Sequence, residues 1–193
     1  MKHKNDSREK ILIAAAHLFQ TKGFNATGLN EILKESGSPK GSLYYYFPNG
    51  KEELALEAIK VSTQNIKSNL MRDMSEYEDP IKAIQSVVTH IINDLKTYGK
   101  PKDISLSLLS LETYSSSEAL KKACRDSFME LQHIYLNKLI QSGIKEETAE
   151  FLSMTILTLL EGSITISLTQ ENQEALFNFH KQIDLLLRPY LLK

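Results

Sequence analysis

The chain has 193 residues, with 23 Lys or Arg against 24 Asp or Glu, and its formal net charge of −1 singles out no polyanionic partner. One cysteine, Cys124, excludes an intrachain disulfide and a cysteine-rich metal site, and the five histidines form neither H-x-x-x-H nor H-E-x-x-H, so no metal or cofactor is expected. The charged opening Met-Lys-His-Lys-Asn-Asp-Ser lacks an apolar signal segment, and no apolar run reaches the roughly eighteen residues of a membrane span; a soluble, cytoplasmic protein with no membrane partner is expected.

Residues 1–50 hold seven Lys or Arg against four Asp or Glu, and the remainder holds sixteen against twenty. A mildly basic head on an acidic body is compatible with DNA docking by the head alone, although many enzymes share such a balance. The first helix is predicted from Ser7 to about Lys22. Ile11, Leu12, Ala15, Leu18 and Phe19 form its apolar stripe, and Gly23 ends it. Lys2, Lys4 and Arg8 precede or open this helix. An arm that meets phosphates is the functional reading, and for the two lysines a frayed, solvated tail is preferred.

Leu29, Ile32 and Leu33 recur at the spacing of one helix face, and Gly37 supplies the positive φ that commonly ends such a helix. Thr27 is placed to cap its start. Ser38 and Pro39 then restart a helix, Ser38 as cap and Pro39 at the first helical position, completing a helix-turn-helix within about twenty residues. In the second helix, Pro39 to about Phe47, Leu43 and Phe47 can point inward together. Lys40, Gly41, Ser42, Tyr44 and Tyr45 are left outward. That face suits a major groove: Gly41 admits close approach, Ser42 can bond a base edge or phosphate, Lys40 offers a charge, and tyrosines pack on sugars and thymine methyls. Tyr46 stands evenly between capping the core and meeting a phosphate.

Gly37-Ser-Pro-Lys-Gly-Ser-Leu-Tyr-Tyr-Tyr-Phe-Pro, followed by Lys51-Glu-Glu-Leu, resembles the signature of the TetR family of bacterial transcriptional regulators, over residues 7–60. One residue beyond the usual spacing separates Phe47 from Lys51, written Phe-Pro-Asn-Gly-Lys, and this resembles the LmrA/YxaF-like branch. The resemblance implies that Thr27 is a phosphate-binding hydroxyl, that Lys40, Gly41, Ser42 and Tyr44 face the groove, that Tyr45 and Tyr46 lie near the DNA backbone, and that Lys51 pins a phosphate. Tyr45 departs from the histidine common at its position.

Leu54, Ala55, Ala58, Ile59, Ser62, Ile66, Leu70 and Met74 then mark a long helix ending before Pro80, placed to carry movement out of the head. Asp79-Pro80 opens the next, which stops near Gly99-Lys-Pro101, and 103–111 reads as a shorter one. Ser115-Ser-Ser117 is a break and cap before a long helix from Glu118 to about Ser142. Two last helices, Lys145–Leu168 and Gln173–Tyr190, are joined by a polar link. No strand pairs, G-x-G-x-x-G or P-loop are seen, so the chain reads as all-α. A three-helix helix-turn-helix DNA-binding head spans 1–50, and a helical ligand-binding and dimerisation body spans 51–193.

The stretch Phe151–Leu168, with Met154, Ile156, Leu157, Leu159, Leu160, Ile164 and Ile166, is apolar on more sides than one core face requires. Together with Leu176, Phe177, Phe179, Ile183, Leu186 and Leu187 it is the candidate for a four-helix homodimer interface, and TetR relatives commonly dimerise through their last two long helices. Candidate effector contacts are His90, Asn93, Tyr114, Phe128, Met129, His133, Met154, Thr158 and Glu161, on or beside apolar faces of the middle helices. Each one singly fits packing or exposure as well. Glu161, a charge within the most apolar helix, needs a partner at the interface or a place in a pocket. The branch resemblance suggests a planar aromatic effector such as a flavonoid. The leading function is a ligand-responsive repressor that binds a palindromic operator as a dimer and is not an enzyme. A helical small-molecule enzyme is the alternative, but its Ser, His and carboxylate residues fall into no nucleophile motif. A non-DNA interaction module leaves the outward Lys-Gly-Ser-Tyr face without purpose.

Overall fold

The computed structural model describes residues 2–99 and 106–191, with side chains from Ser7 onward. Among these residues every regular element is an α-helix: α1 Lys2–Lys22, α2 Leu29–Ser36, α3 Lys40–Tyr46, α4 Lys51–Glu76, α5 Pro80–Tyr98, α6 Leu106–Thr113, α7 Glu118–Gln141, α8 Glu146–Thr169 and α9 Glu174–Leu191. The all-α expectation holds. α1 begins upstream of the expected Ser7: the stretch Lys2-His-Lys-Asn-Asp6 contains neither Gly nor Pro to stop the helix there. The side chains of Lys2 and Lys4 lie outside the described residues, as do 103–105, where the shorter helix was expected to open.

Two compact units divide the chain, one drawn from Met1–Asn65 with Asp103–Phe128, the other from Ile66–Lys102 with Met129–Lys193. α4 and α7 each contribute to both units, and α6 belongs with the head helices.

In the first unit α1 packs on α2 and α3. Ile11, Ala15, Leu18 and Phe19 of α1, Ile32 of α2, and Leu43 and Phe47 are all buried, each large side chain stabilising by about 2 kcal/mol. Thr63 donates to Ser127 across 2.8 Å, and Ser127 in turn donates to the Ala123 carbonyl, so these buried hydroxyls are satisfied. Cys124 is fully buried, and burial pushes its thiol up to about 11, so it holds little thiolate at neutral pH and packs as a small apolar side chain.

In the second unit α9 packs on both α5 and α8. Asp79 caps α5 by accepting from the Ile81 amide at 2.9 Å, with Pro80 in the first turn and Gly99 at φ 67° closing it. Leu152, Ile156, Leu157 and Leu160 of α8 and Leu176, Phe179, Ile183 and Leu187 of α9 are buried within this unit. α8 is long and apolar enough to cross a membrane by length and composition. Part of that apolarity belongs to this core, and the rest lies on an outward face.

Candidate nucleic-acid interface

The site begins with two anchors. Leu43 and Phe47 are completely buried, one turn apart, and they fix α3 to the head. The side chains between and before them must face away: Tyr44 is 47% and Tyr45 66% exposed, while Lys40 and Gly41 are exposed and Ser42 and Tyr46 half-buried. Lys40 places its ammonium 5.9 Å from the Tyr44 ring centre, and Tyr45 meets Tyr46 edge-on at 4.9 Å. A Cβ on Gly41 would meet nothing within 4 Å, so no contact among the described residues demands glycine there.

The turn before α3 differs in one detail from expectation. Gly37 takes φ 62°, as read, but Ser38 does not cap α3. Pro39, at φ −62° and ψ 144°, is itself the residue flanking the helix, and its carbonyl accepts from the Ser42 amide at 2.9 Å. The ring sets φ but leaves ψ extended, so the helix opens one residue later.

Thr27 needs a larger correction as a cap. It is buried, its hydroxyl donates to the Gly23 carbonyl at 2.7 Å, and α2 is flanked by Gly28 with no side-chain cap. The hydroxyl is committed to the α1–α2 turn, because Gly23 bends the chain back over it at φ 83°. That turn also holds Lys51. Its ammonium donates to the Phe24 carbonyl at 3.0 Å and lies 4.4 Å from the Phe24 ring centre. The extra residue before Lys51 is absorbed by the turn Phe47–Gly50, closed by Gly50 N–H to the Phe47 carbonyl at 2.9 Å with Gly50 at φ 67°. Asn49 donates its amide to Glu53 at 2.9 Å, satisfying one free N–H as α4 begins.

Sequence reasoning missed Glu112. From the end of α6 its carboxylate accepts the Phe24 amide, and its backbone carbonyl accepts from Asn25 Nδ2 at 3.3 Å. A separation of 88 residues leaves no local signal for this contact.

Residues 11–58 match the family described as bacterial regulatory proteins, tetR family, and residues 80–182 match the C-terminal domain of LmrA/YxaF-like transcriptional regulators. The helix-turn-helix-type transcriptional regulator YxaF of Bacillus subtilis is 41% identical over 188 residues, 97% of this chain and 98% of that one. This chain belongs to the TetR family, with an LmrA/YxaF-like C-terminal domain. LmrA of the same organism is 40% identical, covering 95% of this chain and 97% of that one. In fold, the TetR-family regulator of Cytophaga hutchinsonii superposes with a TM-score of 0.86 at 19% identity, covering 100% of this chain and 98% of that one. TetR-family members are DNA-binding transcriptional regulators, a class distinct from enzymes.

As a TetR-family body, the remainder of the chain distributes the candidate effector residues widely. Tyr114 and Phe128 fall in the first unit; His90, Asn93, Met129, His133, Met154, Thr158 and Glu161 fall in the second. Phe128 and Glu161 are half-buried and the other seven exposed. His90 Nδ1 lies 2.8 Å from the buried Asp73 carboxylate. Glu161 does more than sit in an apolar helix: burial, then Glu161, then Asp73 push the phenol of buried Tyr135 above its ordinary range. Asp73 and Tyr135 were not singled out in the sequence, Tyr135 because it follows the apolar period of its helix. A cleft of about 480 Å³ in the second unit is lined by Glu78, Asp79, Pro80, Ile81, Lys82, Gln85, Ser142, Asp184, Arg188 and Leu191, none of them a candidate.

The proposed dimer residues also divide. Ile156, Leu157, Leu160, Leu176, Phe179, Ile183 and Leu187 are taken by the core of their own unit. Phe151, Met154, Leu159, Ile166 and Phe177 remain exposed, joined by Leu168 and Leu185.

Proposed function

We propose that this regulator is a ligand-responsive repressor that binds a palindromic operator as a homodimer and leaves it when a small hydrophobic, planar aromatic, flavonoid-like effector enters the body. The reading rests above all on α3, whose outward Lys40, Gly41, Ser42 and Tyr44 stand on a helix locked by two fully buried anchors. In the complex these four face the major groove, while Tyr45, Tyr46 and Lys51 lie along the phosphates. Thr27 supports the turn from below and leaves phosphate contact to its neighbours.

Two copies meet through the outward faces of α8 and α9, pairing the two heads with the two half-sites of the operator. His90, Asn93, Tyr114, Phe128, Met129, His133, Met154, Thr158 and Glu161 are the candidate effector contacts. An effector releases the operator only by favouring a conformation whose heads do not match the half-site spacing, and ~5.5 kcal/mol of preference would reverse a 99:1 population. As a regulator of DNA it works in the cytoplasm.

The test is binding of purified protein to promoter fragments flanking its own gene, against unrelated DNA of equal length at physiological salt, with and without planar aromatic compounds. Specific retention relieved by one compound is the expected result. Equal affinity for all DNA at every salt concentration sinks the reading.

A further inference from the structure

The last turn of α6 and the segment that joins it to α7 touch two of the neighbours of Lys51. The Glu112 carboxylate accepts the amide of Phe24, the residue whose carbonyl and ring hold the Lys51 ammonium. The Ser117 hydroxyl donates to the carboxylate of Glu52, the residue next to Lys51 in the first turn of α4. The segment is itself stiff: the amides of Ser116 and Ser117 both donate to the Thr113 carbonyl at 3.0 Å, Thr113 is fully buried with its hydroxyl on the Leu109 carbonyl at 2.7 Å, and Ser117 Oγ caps α7 through the Leu120 amide at 3.1 Å.

The close approach of Glu112 depends on Gly23. A Cβ there would come within 2.3 Å of Glu112 Oε1, and φ 83° is a conformation that side chains resist. All these contacts lie within the first unit.

We propose that the end of α6 and the turn that follows it position Lys51 for a DNA phosphate, with Glu112 and Ser117 as the positioning residues. Phe24 is the connecting residue. Its amide N–H donates to Glu112, and Lys51 rests on its carbonyl and ring. With Glu112 removed, the turn from Gly23 to Thr27 loses an anchor 88 residues away in sequence, and the ammonium loses a fixed seat. The inference rests on Lys51 meeting a phosphate, as in the reading above, and it makes the end of α6 a place where a change elsewhere can alter DNA affinity without touching α3.

The sign of the effect is diagnostic. Deleting a carboxylate near a DNA-binding face should strengthen DNA binding if only its charge matters. Loss of its hydrogen bond should weaken binding, by about tenfold for one charge-assisted bond.

Four full-length variants decide the matter: Glu112→Ala, Glu112→Gln, Lys51→Ala and the Glu112→Ala/Lys51→Ala double variant. Each is titrated with promoter duplex and with random duplex of equal length over a range of salt. Expected is about a tenfold loss on both duplexes for Glu112→Ala, with the salt slope lowered by about 0.9, as if one phosphate contact were gone. Glu112→Gln, which keeps an acceptor oxygen, should bind within about twofold of the parent. The double variant should bind no more weakly than Lys51→Ala alone.

Unchanged or tighter binding by Glu112→Ala beside a weakened Lys51→Ala, or losses that multiply in the double variant, would overturn the positioning role and leave Lys51 as a phosphate contact. An unaffected Lys51→Ala would remove the phosphate reading itself. Should Glu112→Ala fail to fold, Glu112→Asp, shorter by one methylene, takes its place with the same expectations.

Discussion

The Lys51 ammonium sits on Phe24 twice, 3.0 Å from its carbonyl oxygen and 4.4 Å from its ring centre, so a cation 27 residues along the chain is held against the α1–α2 turn. An ammonium has three donors, and this seat uses one. The others are free to serve a phosphate in the same place, with little side-chain entropy left to lose. Lys51→Ala is therefore expected to weaken specific and random DNA alike and to lower the salt slope by about 0.9. Ser42→Ala and Tyr44→Ala should instead act mainly on discrimination between sites, by about 1–3 kcal/mol for a base-reading contact. Salt titrations on paired duplexes measure both, and equal fold-losses on every sequence would refute the division of labour.

The anchors of α3 make a different prediction. Leu43 and Phe47 are fully buried, so Leu43→Ala should cost about 2–5 kcal/mol and Phe47→Ala about 3–5 kcal/mol of stability, through lost burial and the cavity left behind. Urea unfolding followed by circular dichroism reads the cost. Tyr45→Ala, at an exposed position, should leave the unfolding free energy within about 0.5 kcal/mol of the parent.

The contrast between these residues explains what the sequence could reveal. Leu43 and Phe47, or Gly37 and Gly99, announce themselves because helix periodicity and left-handed caps act over one or two turns. Thr27 looked like a cap because Thr before a helix commonly is one. The bend at Gly23 turned its hydroxyl inward, a tertiary outcome that no local rule contains. Glu112 is the extreme case, since its partner Phe24 is brought to it only by the packing of the first unit. On α8 the pattern disclosed an excess of apolar residues. Which of them face inward depends on where α9 lies against it.

His180 supplies a pH dependence. Desolvation holds its imidazole below the ordinary 6.5, so the unfolded chain binds the proton more readily than the folded one. The sign follows: this contribution is intact above pH 6.5 and is lost as the pH falls through the lower folded value. Because the ring is only partly buried, the effect is small. Denaturant midpoints of the parent should fall more steeply on acidification than those of His180→Gln, and parallel curves would refute the assignment.

Cys124 should behave as a protected thiol. With no exposed surface and its pKa pushed up to about 11, it presents little thiolate at neutral pH. A thiol reagent should label the native protein far more slowly than the denatured protein. Fast native labelling would show that the first unit opens locally around α7. Cys124→Ala should retain DNA binding, since a fully buried thiol is out of reach of DNA.

The outward face of α8 and α9 gives the last prediction. Phe151 is 66% and Leu185 74% exposed, and an isolated chain has no reason to keep such large apolar side chains in water together with Met154, Ile166 and Phe177. A second copy covering them would turn that cost into association energy, and charge introduced there should prevent it. Phe151→Glu and Leu185→Glu are expected to shift sedimentation from dimer to monomer while the helical signal and unfolding midpoint of the monomer survive. Ile183→Glu, inside the unit, should instead destroy the fold. A palindromic operator adds a second readout. Two tethered heads gain from an effective local concentration that one head lacks, so the monomeric variants should lose most of their preference for promoter over random DNA while keeping the weak, salt-sensitive binding of a single head. Monomers that retained the full preference would place the origin of operator recognition within one chain and remove the dimer from the mechanism.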